Sequence, residues 1–140
     1  MIKATHPRSH EASERSALRR RVKQMYDLFN LGSWEECFAL IDPKLREASK
    51  VELPAYMEGL QAFREAHGII SPWYMRISLH LNPAASQRDP RPFAYVYVVW
   101  QDSARGFHMF RERWVKEAGH WYTRVVGLVP NRQAVVPDQA

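Results

Sequence analysis

The hydrophobic period of this chain changes once, at Gly68, from about 3.6 residues to about 2. That switch rules out an all-helical or all-strand domain. Before it, Leu18, Val22, Met25 and Phe29 form one stripe on a helix predicted over 11–31, and Gly32 supplies the left-handed stop. Ser33 and Glu36 have capping-box spacing and open a second helix carrying Trp34, Cys37, Phe38 and Ile41, which ends at Asp42-Pro43. The stretch KLREASKVEL reads as irregular, with a short edge strand near Val51. Pro54 starts a third helix over 54–67, with the stripe Tyr56, Leu60, Phe63 and His67.

After Gly68, Trp73, Met75, Ile77, Leu79 and Leu81 alternate with Tyr74, Arg76, Ser78 and His80, the pattern of a strand with one wet face. Residues 82–92 hold three prolines and no period, and read as a long, mobile loop. Phe93–Trp100 is apolar on both faces and reads as a central strand. DSAR turns the chain into a strand over 106–116, and Glu117-Ala118-Gly119 turns it into a last strand over 120–129. Three helices followed by a four-stranded antiparallel meander, with a fifth edge strand near Val51, make an α+β class. The domain spans 11–130, between a polar tail at 1–10 and a tail at 131–140, where Val135-Val136 could dock.

Composition narrows the function classes. At 140 residues the chain is long enough to bury a core without disulfide staples. The single cysteine, Cys37, falls in an apolar helical pattern and reads as a small core residue. There is no CxxC pair, HExxH, phosphate-binding glycine loop or nucleophile elbow, so no cofactor or metal is expected. His6 and His10 are four apart but fall in the predicted tail. The longest apolar run is far shorter than the ~20 residues that span a bilayer. The start has no apolar core of a secretory signal, so a cytoplasmic protein with no membrane partner is expected. The net charge of +5 is densest over Arg15–Lys23, where a solvated helix face is preferred to a nucleic-acid stripe.

The stretch YDLFNLGSWEECFALIDPKLRE and the closing RERWVKEAGHWYTRVVGL resemble the nuclear transport factor 2-like superfamily, the cystatin-like α+β cone. Trp114, Gly119 and Trp121 match its W-x-x-x-x-G-x-W hairpin, with one residue more before the glycine than some members show, and the likeness runs over about 12–130. The resemblance implies helices in the concave face of a strongly curved sheet of four to five strands. It also implies a cavity at the open end of the cone and homodimerisation through the sheet. Members include isomerases, dehydratases, polyketide cyclases and non-catalytic binding modules, so the fold does not assign a reaction. Tyr26-Asp27, His80, His108 and GLVPN (127–131) are similar to features of scytalone-dehydratase-like members, although His80 falls on the wet face of its strand.

Alternation then orders the cavity wall. Arg111 and Arg113 lie on one face of their strand, and His108, Phe110, Glu112 and Trp114 on the other, more aromatic one. A symmetric DSAR turn sets Tyr97 opposite Phe110 and Tyr95 opposite Glu112, one continuous inward face. A three-residue turn at 117–119 puts Tyr122 and Arg124 on that face, and a two-residue turn puts Trp121 and Thr123 there. A carboxyl at Glu112 among rings is pushed toward an acid–base range; the alternative is a Glu paired with Arg124 or exposed. His108 lies about 13 Å along the same strand, too far for direct contact. Tyr26 flanks the first helix's stripe and either reaches the cavity or packs with its hydroxyl satisfied, Asp27 faces solvent, and His67 reads as packed or facing the helix C-terminal dipole.

The expected function is binding of a small hydrophobic or aromatic ligand in the cone, with cofactor-free lyase or isomerase chemistry by Glu112, His108 and Tyr26. Phe29, Tyr56, Leu60, Phe63, Tyr95, Tyr97, Phe110 and Trp114 would line the pocket. The alternative is a non-enzymatic dimeric interaction or binding module, with Arg76, Arg111 and Arg113 at its contact surface.

Overall fold

A computed structural model describes residues 7–125. His6, the end of the predicted last strand at 126–129, the GLVPN segment and Val135-Val136 lie outside the described residues. The class is α+β: four helices packed against one face of a four-stranded antiparallel sheet of order β1-β2-β3-β4. The helices are α1 (Pro7–Leu31), α2 (Trp34–Phe38), α3 (Pro43–Ser49) and α4 (Leu53–His67). The strands are β1 (Ser71–His80), β2 (Phe93–Gln101), β3 (Phe107–Glu117) and β4 (His120–Thr123). No helix among the described residues is long and apolar enough to cross a membrane.

The stripe Leu18, Val22, Met25 and Phe29 is buried as its spacing demands. It meets Tyr56, Leu60 and Phe63 of α4 and the inner sheet face of Ile77, Val96, Val98, Trp100, Phe110 and Trp114. Burying a Trp removes about 150–250 Å² from water, roughly 4–6 kcal/mol of gross driving force. Cys37 is a buried free thiol whose pKa burial raises to about 12, so it is a core residue and not a nucleophile.

The structure departs from the sequence reading in several places. KLREASKVEL is irregular only at 50–52, because residues 44–49 belong to α3 and Leu53 opens α4. α2 ends at Phe38, short of Ile41 and of the expected stop at Asp42-Pro43; that pair instead starts the next helix, where the Asp42 side chain accepts from the Lys44 N–H at 3.2 Å and Pro43 takes the first turn. Ser33 precedes α2, but its side chain makes no capping bond. No strand forms near Val51; instead Ile41 makes a parallel bridge to Thr123, flanking the edge of β4. α1 begins at Pro7, inside the stretch read as a tail. Loop 82–92 is pinned near its end, because Arg91 bonds Asp42, Asp89 and Glu117. Arg15 and Arg21 of the basic run donate to the carbonyls of Ile77 and Trp121, so they fasten α1 to the sheet.

Two turns set which residues face inward. The β3–β4 turn has two residues, Ala118 and Gly119, with φ of 51° and 84°, so Trp121 and Thr123 are the buried pair. The β2–β3 turn is not symmetric about DSAR. Asp102 Oδ1 accepts the N–H groups of Ala104 and Gly106, and Arg105 takes φ 68°. That draws Gly106 into a backbone bond with Asp102 and shifts the register by one. Tyr97 therefore pairs with Arg111 and Tyr95 with Arg113, while Val98 faces Phe110 and Val96 faces Glu112. Tyr95 and Tyr97 lie on the outer face and do not join Phe110, Glu112 and Trp114. There Arg76 covers Tyr97 at 4.3 Å, Arg111 covers Tyr95 at 4.8 Å and Arg113 covers Phe93 at 4.2 Å. A bulge between Pro72 and Tyr74 leaves Trp73 exposed and off the inner row it was expected to lead.

Candidate functional site

Glu112 sits at mid-sheet and is 2% exposed. The Tyr26 hydroxyl donates to its Oε2 at 3.0 Å and the Trp114 indole N–H donates to its Oε1 at 2.9 Å. Burial raises its pKa above the ordinary carboxyl value, against the pull of those two donors. Burial also holds the Tyr26 hydroxyl protonated, reinforced by the neighbouring Glu112 charge. Of the two expectations for Tyr26, packing with a satisfied hydroxyl is the observed one. Arg124 does not pair with Glu112; it donates to Asp42 at 2.9 Å. Phe29, Phe63 and Trp100 pack ring against ring at 5.5–5.6 Å, and Phe110 meets Trp100 at 5.6 Å. Leu60 and Trp114 are buried in the same core. Tyr56 packs on Phe38 and borders a shallow surface hollow of about 460 Å³.

One cluster of titratable groups that solvent still reaches lies at one end of the sheet. His67 ends α4, Asp102 opens the β2–β3 turn and His108 lies near the start of β3. His108 Nε2 stands 2.9 Å, and His67 Nδ1 3.2 Å, from the same oxygen, Asp102 Oδ2. An ionised carboxylate only accepts, so each of these nitrogens carries hydrogen. The His108 bond, the Gly106 N–H and then the His67 bond hold Asp102 well below the usual carboxylate range. Side-chain exposure is 21% for His67, 27% for His108 and 8% for Asp102, so solvent reaches the rings while the carboxylate is enclosed.

The fold fixes this cluster from several sides. Asp102 Oδ1 is held by two backbone N–H groups, which leaves Oδ2 aimed at the imidazoles. Ser103 ties the turn to the end of α4 by donating its N–H to the His67 carbonyl at 3.0 Å and accepting the Ile69 N–H at 2.9 Å. Gly68 permits that approach: a Cβ there would lie 2.3 Å from Ser103 Oγ, and its φ is 72°. Trp100 stacks on His108 at 4.4 Å, and Phe63 lies 4.6 Å from His67. The Trp100 indole N–H is buried without an acceptor among the described residues. On the outer face of the same end, Trp73 and Phe107 meet at 5.4 Å and are 69% and 55% exposed.

Sequence reasoning named His108 but read His67 as packing and gave Asp102 no role. Residues 67, 102 and 108 are joined only by the turn register, and no spacing rule carries that signal. The signal available was Asp102 at the head of a turn, where an Asx bond fixes its carboxylate. The remaining expected polar group, His80, is exposed and stacks on Phe93 at 4.6 Å, and Asp27 is exposed as expected. No protein-family model matches this chain, and neither the curated proteins nor the solved structures include a match.

Proposed function

We propose that this chain binds a small molecule with an apolar body and a polar handle at the end of the sheet formed by α4 and the β2–β3 turn. The observation that carries this is the convergence of His67 and His108 on one Asp102 oxygen with both rings still reachable. Polar groups converging beside aromatic rings are features that small-molecule sites share. Phe63 and Trp100 supply the floor. Where the bound molecule is also transformed, His108 is the group placed to exchange a proton with it, with Asp102 fixing the ring. Glu112 and Tyr26 satisfy each other in the core and are not assigned to substrate. This reading keeps the nuclear transport factor 2-like cone as the fold family, with the ligand at its open end.

The test is a thermal-shift screen of aromatic and polyketide-like compounds in the presence of a chelator, on wild type and His108→Ala. Compounds that raise the melting temperature of wild type by several degrees should lose most of that effect in His108→Ala. Shifts that survive the substitution would move the ligand elsewhere. An absence of shifts favours an interaction module using the outer sheet face, where Tyr74 and Met109 are exposed.

A further inference from the structure

We propose that His67, Asp102 and His108 form a binding site for a divalent transition-metal ion of the zinc, cobalt or nickel class. The proposal rests on the reading of this cluster as the ligand site and names what polar handles would meet there. Two imidazole nitrogens and one carboxylate oxygen are the donor set such ions favour. The three ligand atoms lie within 4.8 Å of one another. Ligands about 2.1 Å from one ion sit roughly 3.0–3.4 Å apart in octahedral or tetrahedral geometry. The two nitrogen-to-oxygen separations, 2.9 and 3.2 Å, already fall near that range. Only the His67–His108 separation needs to close, by at most about 1.4 Å for a tetrahedral ion or about 1.8 Å for an octahedral one.

The surroundings favour a cation. Asp102 brings the negative charge, and its second oxygen is spent on the backbone N–H groups of Ala104 and Gly106, which orient the first. His67 lies in the last turn of the 15-residue α4, where the helix dipole is negative. The three ligands come from a helix end, a turn bonded to it and the start of the strand that follows that turn, so the site is built before the ion arrives. The ion replaces the two N–H hydrogens facing Oδ2, which move to the far ring nitrogens or to solvent. Three protein ligands leave at least one coordination position open, which suits a ligand bearing an oxygen or nitrogen donor.

The experiment uses the full chain without a histidine tag, stripped with chelator and dialysed. Zn²⁺ is titrated calorimetrically, and Co²⁺ is followed by its visible absorption. One Zn²⁺ per chain is expected, with a Kd of about 10 μM or tighter, accompanied by cobalt ligand-field bands. His108→Ala should weaken binding at least tenfold. Asp102→Asn should do the same while keeping an oxygen for the turn N–H groups, and His10→Ala should change nothing. Absence of binding in folded wild-type protein, or affinity unchanged by both site substitutions, overturns the proposal. The chelator present in the small-molecule screen keeps the two claims separable: ligand shifts can persist without the metal, and metal binding can stand without them.

Discussion

Glu112 occupies a position that a hydrocarbon side chain would fill at less electrostatic cost. It is tolerated because each carboxyl oxygen has its own donor, Tyr26 on one side and Trp114 on the other. Removing one donor exposes that cost. Tyr26→Phe should lower stability by about 1–3 kcal/mol, the usual cost of leaving a buried polar atom unpaired. The pH dependence has a definite sign. The folded-state pKa of Glu112 is raised, so folding favours its neutral form. Its contribution is full below the ordinary value of 4.5 and is lost as pH rises through the raised value. The missing Tyr26 donor matters most to the ionised carboxylate, so the deficit of Tyr26→Phe should grow from pH 4 toward pH 8. Urea unfolding at several pH values measures this, and a deficit that does not change with pH would contradict it.

Among the elements, the Arg91 side chain ties three pieces together. It reaches the Asp42 cap of α3 in a two-pronged contact, Asp89 of its own loop, and Glu117 at the end of β3. Asp42 is fully buried, so Arg91→Ala should cost about 3 kcal/mol, the low end for breaking a buried pair, because Arg124 and the Lys44 N–H still bond it. Arg91 also holds Asp89 at about 2, below its ordinary 3.8. Such a depressed group stabilises above its ordinary value and loses that contribution as pH falls through the depressed one. Wild type should therefore lose its margin over Arg91→Ala between about pH 4 and 2, as followed by circular dichroism. The same elements show how far the sequence could be read. The period switch at Gly68 divides the helical half from the strand half correctly, because burial of one face enforces it, but it missed α3 and placed a strand near Val51 that does not form. It cannot give the β2–β3 register, which one Asp102 side chain and one left-handed residue, Arg105, decide. A single-residue shift moved Tyr95 and Tyr97 to the outer face, and hydrophobic alternation is blind to that shift because β2 is apolar on both faces.

For the whole molecule, the site follows from closure of the fold. The end of α4 and the β2–β3 turn lie 35 residues apart along the chain at His67 and Asp102, yet the sheet order brings them into contact. Tyr26 was legible as a core residue with a satisfied hydroxyl because it flanks a strongly periodic stripe, and Glu112 as inward-facing by alternation, but the pairing of Glu112 with Tyr26 and Trp114 was not. The His67–Asp102–His108 cluster was not legible because it depends on tertiary contact at irregular turns. The proposed small-ligand site lies at this end of the molecule. Backbone amide NMR of the full chain, titrated with a compound that raises its melting temperature, tests this most directly. Shift changes should concentrate in residues 63–70 and 100–108. Changes centred on Tyr26 and Glu112, or on Tyr95, Tyr97 and the outer arginines, would contradict it.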